Sequence, residues 1–173
     1  FIFPGQGSQF PGMGFELYSS NERAKLMFEK ANSVLNFDIT KLMFEGSDED
    51  LNKTNVTQPA IFIHSVILAN CITNFNPDMV AGHSLGEFSA ITAAKVISFE
   101  DGLNLVVQRA NAMHKACEEN NSTMAAVIGL ESKLVEQICE NQSGVVVTAN
   151  YNSPNQIVIS GQLNSVEKTC EIL

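Results

Sequence analysis

Apolar and polar positions along this chain follow two regimes. From Phe15 to Asn36, the apolar residues Leu17, Leu26, Met27, Val34 and Leu35 recur among charges, which predicts an amphipathic helical stretch. A short helix is expected near Asp38 to Phe44, and Ser47-Asp48-Glu49-Asp50-Leu51 reads as the capped, acidic start of another. Thr57-Gln58-Pro59 opens a run from Ala60 to Asn74 that is apolar on most sides. Proline suits a helix start because the N–H it lacks would have no partner there, so a largely buried helix is predicted, broken by Asn76-Pro77. Phe1 to Phe3 reads as a strand leading into the Gly-rich loop Pro4 to Gln9. Asp78 to Ala81 reads as a second strand end, followed by a helix from Leu85 to Ala94, and Phe99-Glu100-Asp101-Gly102 starts a helix reaching about Glu118.

Past the polar stretch Glu118-Glu119-Asn120-Asn121-Ser122 the period shortens. Met124 to Ile128, Val145 to Asn150 and Gln156 to Ser160 read as strands. Glu131 to Glu140 reads as a helix and a last helix begins near Leu163. The hairpin falls around Tyr151-Asn152-Ser153-Pro154-Asn155. The order β-α-β-β-α matches a ferredoxin-like split unit without its last strand. The expected fold class is therefore α/β: a core over residues 1–122 and a ferredoxin-like subdomain over 123–173, both incomplete. The first residue is not Met and the last lies inside a helical pattern, so a portion of a longer polypeptide is expected.

Composition narrows the function classes. With 173 residues, 45% of them hydrophobic, the chain can bury a real core. A net charge of −9 disfavours nonspecific nucleic-acid binding, which needs a basic surface. Cys71, Cys117, Cys139 and Cys170 form no C-x-x-C and no Cys/His cluster, so no metal site is expected. Scattered thiols suit a reducing, cytoplasmic compartment. The apolar runs are too short to span a bilayer, and no signal-peptide pattern opens the chain.

The candidate chemistry centres on Val80-Ala81-Gly82-His83-Ser84-Leu85-Gly86-Glu87. A serine two residues from glycine on either side, between a strand and a helix, can be held in a tight, exposed turn and act as a nucleophile toward acyl groups. The Leu85 N–H, at the helix start, is an orphan donor available to an oxyanion beside Ser84. The pattern alone is weak, since a serine N-cap produces it too; the strand-turn-helix setting strengthens it. Gly5-Gln6-Gly7-Ser8-Gln9 also follows a strand. It lacks the G-x-G-x-x-G spacing and a following Lys-Ser/Thr, so nucleotide binding is disfavoured. The Gln6 N–H could instead supply a second oxyanion donor. Arg109 shares a helix side with Val106 and Met113; a guanidinium there calls for an anion, and a carboxylate can take two parallel N–H bonds. The competing reading is a surface arginine lying along its own stem, with Met113 as pocket wall or core.

Phe3-Pro4-Gly5-Gln6-Gly7-Ser8-Gln9, Thr57-Gln58-Pro59-Ala60, Gly82-His83-Ser84-Leu85-Gly86-Glu87, Gln108-Arg109 and Asn150-Tyr151-Asn152-Ser153-Pro154 occur in that order. Together they resemble the malonyl-CoA:acyl carrier protein transacylases of fatty acid synthesis, from the first residue to the last. The resemblance implies an α/β-hydrolase-like acyltransferase core with Ser84 as nucleophile. It implies Gln6 and Leu85 as the oxyanion hole and Arg109 as the carboxylate clamp. Asn150, Asn152, Met113 and His83 would belong to the substrate-binding set, with Met113 as pocket wall and His83 also bracing the turn. It also implies malonyl-CoA and acyl carrier protein as partners, no cofactor beyond the coenzyme A thioester substrate, no nucleic acid, no membrane, and a cytoplasmic monomer. The family's general-base histidine is expected beyond residue 173: His64 reads as a core residue, His83 as pointing away from the serine, and His114 as lying on another side of the helix from Arg109. The rival readings are an acyltransferase domain of a polyketide or multifunctional synthase, which further domains would reveal; an α/β-hydrolase esterase, which would transfer to water; and a non-enzymatic binding module, indifferent to Ser84→Ala.

Overall fold

In the computed structural model, residues 1–173 are described, apart from the side chain of Glu118. The chain divides into two compact units, Phe1–His114 and Lys115–Leu173.

The first unit is mostly helical around a minimal parallel sheet. Strand β1 (Ile2–Phe3) pairs in parallel with β2 (Ala81–Gly82), in the register Ile2 to Ala81 and Phe3 to Gly82. The expected helical stretch after Phe15 is two helices, α1 (Phe15–Ser20) and α2 (Glu22–Leu35). Asn21 separates them: its extended backbone interrupts α1, and its side chain accepts the Ala24 N–H at 3.1 Å to cap α2. Helix α3 (Ile39–Glu45) is capped by Asp38. Helix α4 (Asp48–Leu51) carries a full capping box between Ser47 and Asp50, as the acidic start foretells.

Helix α5 (Thr54–Cys71) begins five residues ahead of Pro59, so the proline lies inside it and does not mark its start. The Lys53 carbonyl makes this possible by accepting from the Val56 and Thr57 N–H groups at 2.7 and 2.8 Å, which builds a first turn ahead of Pro59. Phe62, Ile63, Val66 and Ile67 of α5 are fully buried with Phe28, Ile39 and Met43 in the main core. Helices α6 (Leu85–Ala93) and α7 (Phe99–Glu119) follow. Leu103, Val106 and Ala110 give α7 its buried stripe at helical spacing.

In the second unit, β3 (Ser122–Ile128), α8 (Ser132–Glu140), β4 (Val146–Ser153), β5 (Gln156–Gln162) and α9 (Leu163–Ile172) follow in order. The sheet is antiparallel with strand order β3-β5-β4. Val127, Val146, Ile157 and Ile159 pack with Val135, Cys139 and Val166 from the helices. Met124, Ile128 and Val147, at the alternate positions, are exposed. The hairpin is tighter than the sequence suggests. β4 runs on to Ser153, so Tyr151 and Asn152 are strand residues, and only Pro154 and Asn155 separate the strands.

Candidate active site

Ser84 sits between β2 and α6 with φ 54° and ψ −102°, a backbone conformation rarely adopted by residues with a Cβ. Such strain persists only where surroundings enforce it, and it costs on the order of 1–3 kcal/mol. The enforcement is visible. On one side, the His83 N–H donates to the Phe3 carbonyl at 3.0 Å, continuing the β1–β2 pairing up to the turn. On the other, the Gly86 N–H donates to His83 O at 3.0 Å and the Glu87 N–H to Ser84 O at 3.1 Å, which starts the helix. A Cβ on Gly82 would come within 2.0 Å of the Gly86 carbonyl carbon, and one on Gly86 within 2.2 Å of Phe3 O. Glycine at both positions is therefore a packing requirement, and strand, turn and helix touch backbone to backbone. Leu85 anchors the turn from below, with 1% of its side chain exposed in the main core, while Ser84 faces solvent.

The loop after β1 packs against the same turn. A Cβ on Gly5 would lie 2.5 Å from His83 O and 2.9 Å from His83 Nδ1. The loop is tied internally by Ser8 Oγ donating to Gly5 O at 2.8 Å and by Gly7 N–H donating to Gln9 Oε1 at 2.9 Å. Among the described residues, neither the Gln6 nor the Leu85 backbone N–H has a hydrogen-bond partner.

Arg109 on α7 completes the cluster. Its Nη2 donates to Ser84 Oγ at 2.7 Å, joining residues 25 positions apart, and its Nη1 donates to Gln58 Oε1 at 2.6 Å. Gln58 in turn donates through Nε2 to Met113 Sδ at 3.3 Å. The guanidinium is thus engaged on the nucleophile candidate itself, not extended along the surface. Gln58 is the residue the sequence reading leaves without a role. It is completely buried, and a buried amide left unpaired costs about 1–3 kcal/mol, so its contacts matter. The available signal was a single amide beside an otherwise apolar helical run.

The remaining candidates are placed as follows. Asn150, half-buried, and Asn152, exposed, lie on β4 in the second unit, and Asn152 Nδ2 donates to Gln156 Oε1 at 3.1 Å. His64 is not a core residue as expected. It is half-buried on α5, packs edge-on against Phe10 with ring centroids 6.1 Å apart, and lines an apolar cavity of about 320 Å³ with Phe1, Phe3, Phe75 and Leu68. Burial pushes its pKa below the usual histidine value. That cavity contains neither Ser84 nor Arg109. Among the described residues no cluster of His, Cys, Asp or Glu is disposed to hold a metal, and no helix is long and apolar enough to cross a membrane.

A serine strained into a strand-helix turn and touched by a guanidinium is the kind of geometry that acyl transfer uses. The chain belongs to the acyl transferase domain family, whose model matches residues 1–173. Within it, the chain is 41% identical over 173 residues to the malonyl CoA-acyl carrier protein transacylase of Staphylococcus aureus strain MRSA252, covering 98% of this chain and 56% of that protein. The structure of the malonyl CoA-acyl carrier protein transacylase from Coxiella burnetii superposes with a TM-score of 0.93 at 38% identity, over 99% of this chain and 56% of that one. A malonyl-transacylase solved in complex with a type II polyketide acyl-carrier protein gives a TM-score of 0.90 at 37% identity, over 98% of this chain and 57% of that one. The chain thus spans a little over half the length of the relatives it matches.

Proposed function

We propose that this chain carries the nucleophile side of a transferase that moves a malonyl group from coenzyme A to the phosphopantetheine thiol of acyl carrier protein. The observation that carries the reading is the 2.7 Å contact between Arg109 Nη2 and Ser84 Oγ. In a malonyl ester on Ser84, the free carboxylate lies only two bonds beyond the carbonyl carbon. A guanidinium beside the Oγ is therefore within reach of a three-carbon diacid and has nothing to bind on an acetyl group. The relatives' names, and the carrier-protein complex among them, support this choice of donor and acceptor.

In this reading Ser84 Oγ attacks the thioester carbonyl and coenzyme A leaves as the thiol. The Gln6 and Leu85 N–H groups receive the oxyanion, a contribution of about 3–4 kcal/mol per donor in comparable sites. The carrier protein's thiol then attacks malonyl-Ser84 and regenerates the hydroxyl. The proton passes through the family's general-base histidine, expected beyond residue 173. Asn150 and Asn152 are the further substrate contacts of this reading, with His83 bracing the turn. The β3-β5-β4 order, with α8 and α9 packed on one face, supports a ferredoxin-like subdomain inserted in an α/β-hydrolase-like core. The thioester supplies the activated acyl group, so no cofactor is required. The described cysteines are unpaired, which suits a cytoplasmic enzyme.

The test uses the full-length protein incubated with malonyl-CoA. Mass spectrometry should find the malonyl group on the peptide containing Ser84, and Ser84→Ala should remove it. Arg109→Ala should lower malonyl transfer about a hundredfold, the loss of a charge-assisted pair, while acetyl transfer persists or rises. Undiminished malonyl turnover in Arg109→Ala would refute the clamp.

A further inference from the structure

Gln58 has no solvent exposure, sits on a helix buried on most sides, and makes both of its side-chain contacts with α7. The partners fix which way its amide points. A guanidinium only donates, so the atom facing Arg109 must be the oxygen. The nitrogen then faces Met113 Sδ, one helical turn on from Arg109, and a thioether is a weak acceptor that demands little of the amide. The strong contact is the 2.6 Å bond from Arg109 Nη1, and it leaves Nη2 directed at Ser84 Oγ at 2.7 Å.

The chemistry of that acceptor matters as much as its position. A carboxylate at 58 would hold the guanidinium equally well but would also neutralise it at close range. An amide oxygen orients the guanidinium and leaves its positive charge uncompensated for an incoming anion. We propose that Gln58 is a positioning residue that aims Arg109 at Ser84 while preserving its charge, and so sets the preference for acyl groups carrying a free carboxylate over neutral ones. This rests on Arg109 being the carboxylate clamp.

The experiment compares Gln58→Glu, Gln58→Met and Arg109→Ala in the full-length protein, with malonyl-CoA and acetyl-CoA as separate acyl donors and carrier protein as acceptor. Gln58→Glu keeps size and reach but adds a charge. It should lower kcat/KM for malonyl-CoA by at least about thirty-fold and change the acetyl-CoA value by less than about threefold. Gln58→Met keeps volume but replaces the amide oxygen by a weak thioether acceptor, and should raise the KM for malonyl-CoA with a smaller change in kcat. In an Arg109→Ala background, Gln58→Glu should have no further effect on the malonyl-to-acetyl ratio. A wild-type ratio in Gln58→Glu overturns the proposal. So does an equal fall with both donors, which marks Gln58 as a support of the fold alone. Should Gln58→Glu fail to fold, the Gln58→Met KM for malonyl-CoA decides, an unchanged value counting against the proposal. If Arg109→Ala itself leaves the ratio unchanged, the clamp reading fails; if Arg109→Ala collapses the ratio and Gln58→Glu does not, only the role of Gln58 fails.

Discussion

In the first unit, two strands of two residues each lead into the turn at Ser84, whereas the second unit rests on three strands of seven or eight residues. The longer sheet is positioned by repetition. Alternate side chains of β3, β4 and β5 enter one core, and β3 pairs with β5 in one unbroken register, while the β4–β5 pairing shifts between Thr148 and Asn150 and again between Tyr151 and Ser153. The short sheet has almost no repetition. Ser84 is placed by backbone touching backbone at Gly82 and Gly86, by the buried Leu85 side chain and by helices that owe their own position to a separate core. A regular sheet averages small errors over many contacts. A turn built from a few contacts closer than any side chain allows holds one hydroxyl firmly and tolerates no added atom.

That contrast can be broken first at Gly82. Gly82→Ala should destabilise the protein by more than about 3 kcal/mol in a urea titration, because its methyl group would meet backbone that cannot yield. A cost no larger than that of an ordinary surface change would mean that the turn is not closely packed. Next in size, Ser84→Gly should stabilise the protein by about 1–3 kcal/mol by releasing the positive-φ strain, while acyl-enzyme formation disappears. A loss of stability in that variant would show that the turn is unstrained. Gly129, between β3 and α8, is the second unit's counterpart. It has φ +88° with nothing within 4 Å of a Cβ. Gly129→Ala should therefore cost only the conformational penalty, about 1–2 kcal/mol, and a penalty matching that of Gly82→Ala would erase the distinction between the two regions.

The smallest effect concerns pH. All three histidines lie in the first unit. Burial lowers the His64 pKa, so between its folded and unfolded values the unfolded chain binds more protons. The stability is complete above the unfolded value, near 6.5, and declines as pH falls below it. His64→Gln should flatten this slope in denaturation curves taken from neutral to mildly acid pH. An unchanged slope would remove His64 as its source.

Much of the second unit is legible in the sequence because alternation and turn residues are local signals; only the tightness of the hairpin at Pro154-Asn155 is not. In the first unit, local signals locate the Ser84 turn and the acidic cap of α4. They mislead where a tertiary partner decides, as when the Lys53 carbonyl builds a turn ahead of Pro59 or Asn21 splits a helical stretch in two. The contact of Arg109 with Ser84 spans 25 residues and depends on how α7 lies against the turn, which no periodicity reports. Gln58 is harder still, because a buried amide in an apolar helix is a cost until its partner is seen.

The dihedral angles of Ser84 have a consequence for protein engineering. Glycine is the residue that this turn accommodates most readily, so a variant library screened for heat resistance alone should drift toward glycine at position 84. With Ser84 in its proposed role as nucleophile, the hydroxyl will persist only in libraries where turnover is also demanded. The identity of residue 84 in a stabilised descendant therefore records which pressure produced it.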